Sequence, residues 1–141
     1  AEYYHSGRAT GVQLTDEEYY AHLCELAGDR PIAALIIDPS AASFAETVLR
    51  HGRYPVLKAD NDVAAGIHRV SRALQQAQIK IAPGCKDALR EFSLYQWDNS
   101  LRRDAPKKEN DHAMDDIRYF VSTVLNGEEP GGVCALAVER K

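Results

Sequence analysis

The chain has 141 residues, of which 45% are hydrophobic and 27% charged, and its formal net charge is −4. That is enough for one domain with a buried core, while no apolar run reaches the roughly 18 residues of a membrane span and the opening AEYYHSGRATG lacks a signal-peptide layout. Three widely spaced cysteines (Cys24, Cys85 and Cys134) form neither a disulfide framework nor a CxxC metal site, which points to a reducing cytoplasm, and the acidic balance excludes a protein that coats nucleic acid nonspecifically.

In chain order, AEYYHS carries strand-forming aromatics and is expected to be extended. TDEEYYAHLCELAG reads as a helix, with Thr15 or Asp16 as its cap, acidic residues in its first turn and Gly28 as its stop. AALIIDPS is a continuous apolar run ended by Asp-Pro, as in a strand buried on both faces. SAASFAETVLRHG predicts a second helix closed by Gly52, YPVLKAD a strand, and DVAAGIHRVSRALQQ a third helix with Asp62 as its cap. IKIAP predicts a short strand and CKDALREFSLY a further helix. A polar loop then leads to a last helix over residues 111–126, and the tail VCALAVERK is either an edge strand or a disordered end. Alternating strands and helices predict an α/β domain, whose sites gather at the carboxyl ends of strands.

That rule singles out Asp38, directly after Ala33-Ala34-Leu35-Ile36-Ile37. Its plainer reading is a turn or cap residue before Pro39. The second candidate is NDHAMDDIRYF, residues 110–120. His112 and Asp115 share a helix face, and so do His112 and Asp116; spacing alone does not choose between the two aspartates. Ala113, Ile117, Phe120, Val121 and Val124 form the apolar stripe expected to dock on the sheet, and Asp111 is a good N-cap by type. Taken alone, this is a capped helix start. Beside Asp38, its carboxylate and imidazole suit a hard cation such as Mg²⁺ or Mn²⁺ rather than a closed zinc site. Between Ser100 and Asn110, four basic residues (Arg102, Arg103, Lys107, Lys108) outnumber two acidic ones, in a chain with 17 basic and 21 acidic residues overall. This is either a solvated charge run or a phosphate-binding track, with Lys58 and Lys80 as further candidates.

The segments LIIDPSAASF, VLKADNDVAAGIHRVSRAL, EFSLYQWD and KKENDHAMDDIRYF, in this order, resemble the C-terminal nuclease domain of the large terminase subunit of tailed phages and prophages. The resemblance covers residues 3–126, leaving 127–141 as a tail. It implies a ribonuclease H-like fold, a mixed sheet flanked by helices, and a metal-dependent endonuclease that cuts concatemeric double-stranded DNA during genome packaging. Asp38, Asp115 and His112 then match metal-site and catalytic positions for two divalent cations, Mg²⁺ or Mn²⁺. Within the helix, the resemblance favours Asp115 over Asp116. Arg102, Arg103, Lys107 and Lys108 would contact DNA phosphates. The implied partners are a terminase ATPase domain in the same full-length chain, the portal and the small terminase subunit, and the implied setting is the host cytoplasm.

The family's first catalytic aspartate has no counterpart between Ala1 and Arg8. The expectation is therefore a fragment missing its first strands, with weak or no cutting of its own. The alternative expectation is a non-catalytic module that binds DNA or portal. A receiver-like domain with Asp38 as phosphoacceptor would need an acidic pair that the sequence lacks.

Overall fold

The computed structural model describes residues 1–98, 105–109, 111–125 and 135–138. Among these, the element order is α1 (Gly7–Thr10), α2 (Asp16–Ala27), β1 (Ala34–Ile37), α3 (Ala42–His51), β2 (Val56–Lys58), α4 (Val63–Gln75), α5 (Lys86–Leu94), α6 (His112–Val124) and β3 (Ala135–Val138). The three strands form one sheet in the order β2-β1-β3. Both ladders are parallel, with Leu35 opposite Val56 on one side and Leu136 on the other. The α/β class expected from sequence is the one observed, and no described helix is long and apolar enough to cross a membrane.

The central strand β1 explains its own composition. All four of its residues are buried, because both of its faces are covered. Leu35 and Ile37 join Tyr20, Leu23, Phe44 and Val48 in one cluster under α2 and α3, while Ile36 joins Ala59 and Tyr119 of α6 in a second. A strand roofed on both sides has no use for alternation, so its sequence reads as an unbroken apolar run. The helices α4 and α5 pack chiefly on α6.

Local signals set several helix ends. Thr15 closes a capping box with Glu18, whose amide N donates to Thr15 Oγ1 at 3.3 Å while its carboxylate accepts from Thr15 N at 2.7 Å. Asp62 caps α4 by accepting from Ala65 N at 3.1 Å. Gly52, at φ 67°, ends α3 in the left-handed region that glycine enters without cost.

Two predicted strands do not form. Residues 1–6 carry no regular structure and pair with no described strand; Tyr3 stacks on His22 at 4.5 Å, and the Glu2 carboxylate accepts from Asp87 N and Ala88 N at 2.9 and 3.0 Å. Residues 79–82 of the predicted strand 79–83 alternate in burial as a strand would, but no described strand offers them a ladder. Of the two readings of the tail, Ala135–Val138 takes the strand, paired to β1.

The buried face of α6 is also rotated from the expected stripe. Met114, Arg118, Tyr119, Val121 and Ser122 are its buried residues, whereas Ala113, Ile117, Phe120 and Val124 are half-buried. The reason is that α6 is enclosed by α4, α5 and the sheet together. A helix covered on several sides buries polar residues as well as its apolar stripe.

Candidate functional site

Asp38 follows β1 at the carboxyl end of the sheet, 6% exposed. Its backbone and side chain both start the turn before α3. Ala41 N donates to its carbonyl at 2.9 Å and Ser40 N to its Oδ1 at 2.6 Å. The turn reading of Asp38 is therefore right as far as Oδ1 goes. The other oxygen, Oδ2, accepts a short hydrogen bond from the Tyr119 hydroxyl, which reaches it from α6. Burial works against ionisation of Asp38. The bonds from Tyr119 and Ser40 and the charge of Arg118 outweigh it, and the carboxyl is held below the ordinary aspartate value.

On α6, Asp115 lies one turn before Tyr119 on the same face. Its Oδ1 accepts from Arg118 Nη2 at 2.8 Å in a nearly water-free pair, the side chains being 14% and 3% exposed. The same Nη2 donates to Asn61 Oδ1 at 3.3 Å, and the guanidinium carbon stands 4.6 Å over the Tyr119 ring. Burial disfavours the arginine's charge, but the bond and charge of Asp115 more than offset that and raise its pKa. Asp38 and Asp115 are thus joined through Tyr119 and Arg118.

Glycine 66 makes this placement possible. A Cβ there would stand 2.5 and 2.6 Å from Cγ and Cδ of Arg118, so the arginine stem crosses α4 where that helix has no side chain. The DNDVAAGIHRV segment therefore does three jobs. Asp60 accepts from Asp62 N and pairs with Arg69 at 3.0 Å, Asp62 caps α4, and Asn61 and Gly66 accommodate Arg118.

His112 opens α6, half-buried, with its ring 6.2 Å from that of Tyr4. Asp111 occupies the N-cap position, but its side chain makes no cap bond there. The acceptor is Glu91 of α5, fully buried, whose Oε2 takes Ala113 N at 2.7 Å. This corrects the expectation that Asp111 itself caps the helix. At position 111 the backbone is already in the helical region, at φ −116° and ψ −2°, whereas a capping side chain needs an extended residue. Tyr95 lies in the field of Asp115; burial first, then that charge, pushes its hydroxyl up to about 12.

Lys107 and Lys108 are exposed, beside an antiparallel closure in which Asp98 N donates to Ala105 O at 2.8 Å and Lys107 N to Gln96 O at 3.0 Å. Arg102 and Arg103 lie outside the described residues.

The types of donor at Asp38, Asp115 and His112 suit a hard divalent cation. Their arrangement does not by itself hold one. Both Asp38 oxygens and Asp115 Oδ1 are engaged by protein donors, and no group of three acidic, histidine or cysteine side chains able to hold a metal forms among the described residues. Sequence reasoning singles out Asp38 and Asp115 but not the residues that connect them. Arg118 and Tyr119 stand in the quoted motif, where an arginine on a half-apolar helix was the available signal.

The chain is 42% identical to the large terminase of a thermophilic bacteriophage in solved structures of that protein. The match has a TM-score of 0.82 over 87% of this chain in one crystal form, and 0.83 over 89% in its complex with ADP. Its complex with ATP-gamma-S matches at 0.82. In each case the match covers 32% of the terminase, so this chain spans about a third of the length of the protein it resembles. No protein-family model and no curated protein matches the chain.

Proposed function

We propose that the chain is a domain of a large-terminase-type protein that acts in phage DNA packaging, and that its part in that work is metal-dependent cutting of double-stranded DNA. The observation that carries the reading is the buried link from Asp38 through Tyr119 and Arg118 to Asp115, at the carboxyl edge of a parallel sheet. It occurs in a chain 42% identical to a large terminase. Buried carboxylates are expensive to keep ionised, and this one is kept so by dedicated donors. A strand-end carboxylate linked to one on a neighbouring helix suits phosphodiester hydrolysis with Mg²⁺ or Mn²⁺. Asp38 and Asp115 would hold the cations together with ligands beyond the described residues, and His112 would assist from the first turn of α6. Lys107 and Lys108, with Arg102 and Arg103, supply the phosphate contacts, which predicts salt-sensitive, sequence-independent affinity. ATPase domain, portal and small subunit remain the partners this reading implies.

The test is plasmid nicking with Mn²⁺, on the 141-residue chain and on the longest chain its reading frame encodes. Cutting by the longer chain that is lost in Asp38→Asn and Asp115→Asn supports the assignment; cutting unaffected by both substitutions sinks it. A second reading, a non-cutting DNA- or portal-binding module, is favoured by the exposed Lys107 and Lys108 of the basic loop. It predicts binding that survives EDTA and is lost on charge reversal at Lys107 and Lys108.

A further inference from the structure

Arg118 is among the most deeply placed charges described, 2% exposed, and the chain gives up a great deal to put it there. Gly66 forgoes a side chain so that the arginine stem can pass. Asn61 and Asp115 both accept from a single nitrogen, Nη2, while Nε and Nη1 meet no hydrogen-bond partner among the described residues. A guanidinium kept for its hydrogen bonds would use its whole fork, typically as two parallel bonds to one carboxylate. This one uses one corner. What it supplies is positive charge, over the Tyr119 ring that donates to Asp38 and against Asp115.

We infer that Arg118 is a resident counter-cation for the Asp38–Asp115 carboxylates, and that its guanidinium must withdraw from Asp115 before those carboxylates can accept a divalent ion. The inference rests on the reading of these two aspartates as metal ligands. It assigns Arg118 a positioning role with two consequences. Without metal, the arginine lends its positive charge to both carboxylates, and its loss would make each easier to protonate. With metal, the arginine competes for Asp115. A divalent ion brings twice the charge and tighter coordination, so exchange is possible, but the fixed positive charge lowers the ion's apparent affinity. The unmet Nε and Nη1 donors make the parked position less than optimal for the arginine, as a position that is vacated on loading should be.

The experiment uses the 141-residue chain with Mn²⁺ as the probe, reading binding by titration calorimetry and the thermal midpoint with and without EDTA. Wild type is expected to bind Mn²⁺ weakly and to show little metal-dependent shift. Arg118→Met is expected to melt lower in EDTA yet to gain affinity for Mn²⁺ by at least about tenfold, the direction Coulomb's law requires when a nearby positive charge is removed. Its midpoint should rise with the metal. Adding Asp38→Asn to Arg118→Met should cancel the gain, which a merely structural arginine would not predict. If Arg118→Met does not fold, the double variant Gly66→Ala/Arg118→Ala places a methyl in the vacated channel and should show the same gain. Equal Mn²⁺ affinity in wild type and in the variant lacking Arg118 overturns the inference; if that equal binding is lost in Asp38→Asn, the metal-site reading stands without the latch. No Asp38-dependent binding in any variant also overturns the inference, while the endonuclease reading still answers separately to cutting by the longer chain.

Discussion

On one side of β1, Leu35 and Ile37 sit among Phe44, Val48, Leu23 and Ala27, an almost wholly apolar cluster closed by α2 and α3. On the other side, Ile36 and Ala59 meet Tyr119, and beyond that ring lie Arg118, Asp115 and the carboxylate of Asp38. The same four-residue strand serves both. The first side is held by contacts that any well-shaped hydrophobe could make. The second is held by a few polar contacts that each need one residue type and that leave donors unmet. Packing of the first kind explains why the chain folds. Buried polar groups of the second kind cost stability unless fully partnered, which is the physical reason to look for function there.

The contrast can be broken at several points. The largest effect is expected on the apolar side: Phe44→Ala, at a side chain 1% exposed, should cost about 3–5 kcal/mol in urea unfolding. It should leave the Mn²⁺ response of the other side unchanged wherever the protein is folded. A Phe44 effect of under about 1 kcal/mol would mean that α3 is not seated as described.

Across the strand, Tyr119→Phe keeps the ring and removes the hydroxyl that donates to Asp38, for an expected loss of about 1.5–3 kcal/mol near neutral pH. This loss carries a pH signature. Asp38 has a depressed folded pKa, so the stability it contributes is present above its unfolded value of about 3.9 and disappears as pH falls through the lower folded value. The difference between wild type and Tyr119→Phe should therefore shrink in acid. A difference independent of pH would assign the loss to packing rather than to the carboxylate.

Thr15→Ala, far from the polar side, should cost about 1 kcal/mol by opening the capping box. The smallest effect is spectroscopic. One tyrosinate step, lost in Tyr95→Phe, should fall near pH 12 instead of near 10. Because Tyr95 stays protonated longer when folded, its contribution holds below about pH 10 and is lost as pH rises towards 12.

How much of this could be read in the sequence follows the same division. Helices with their own caps and periodicity were legible, from Thr15 and Glu18 on α2 to Asp62 on α4, and so was β1, because continuous apolarity has few other meanings. Asp38 was legible through its position after that run. The strands at 1–6 and 79–83 were misread because strand propensity says nothing about whether a partner strand stands alongside. The orientation of α6 was misread because amphipathic counting assumes one buried side, and this helix has several. Gly66 reads in sequence as a small helical residue; only the arginine passing it shows what its missing side chain is for.

The caps of α5 and α6 carry a different consequence. Neither helix begins on a capping side chain of its own; the acceptors are Glu2 and Glu91. Glu2 meets Asp87 and Ala88 across 85 and 86 residues of chain. Contacts that distant in sequence form only after a long loop has closed, a cost that grows slowly with its length but is met before any reward. Cut out as peptides, residues 86–94 and 112–124 should therefore stay largely unwound. Within the protein their amides should exchange with solvent together, and trimming the first two residues should speed exchange in the first turn of α5, far along the chain.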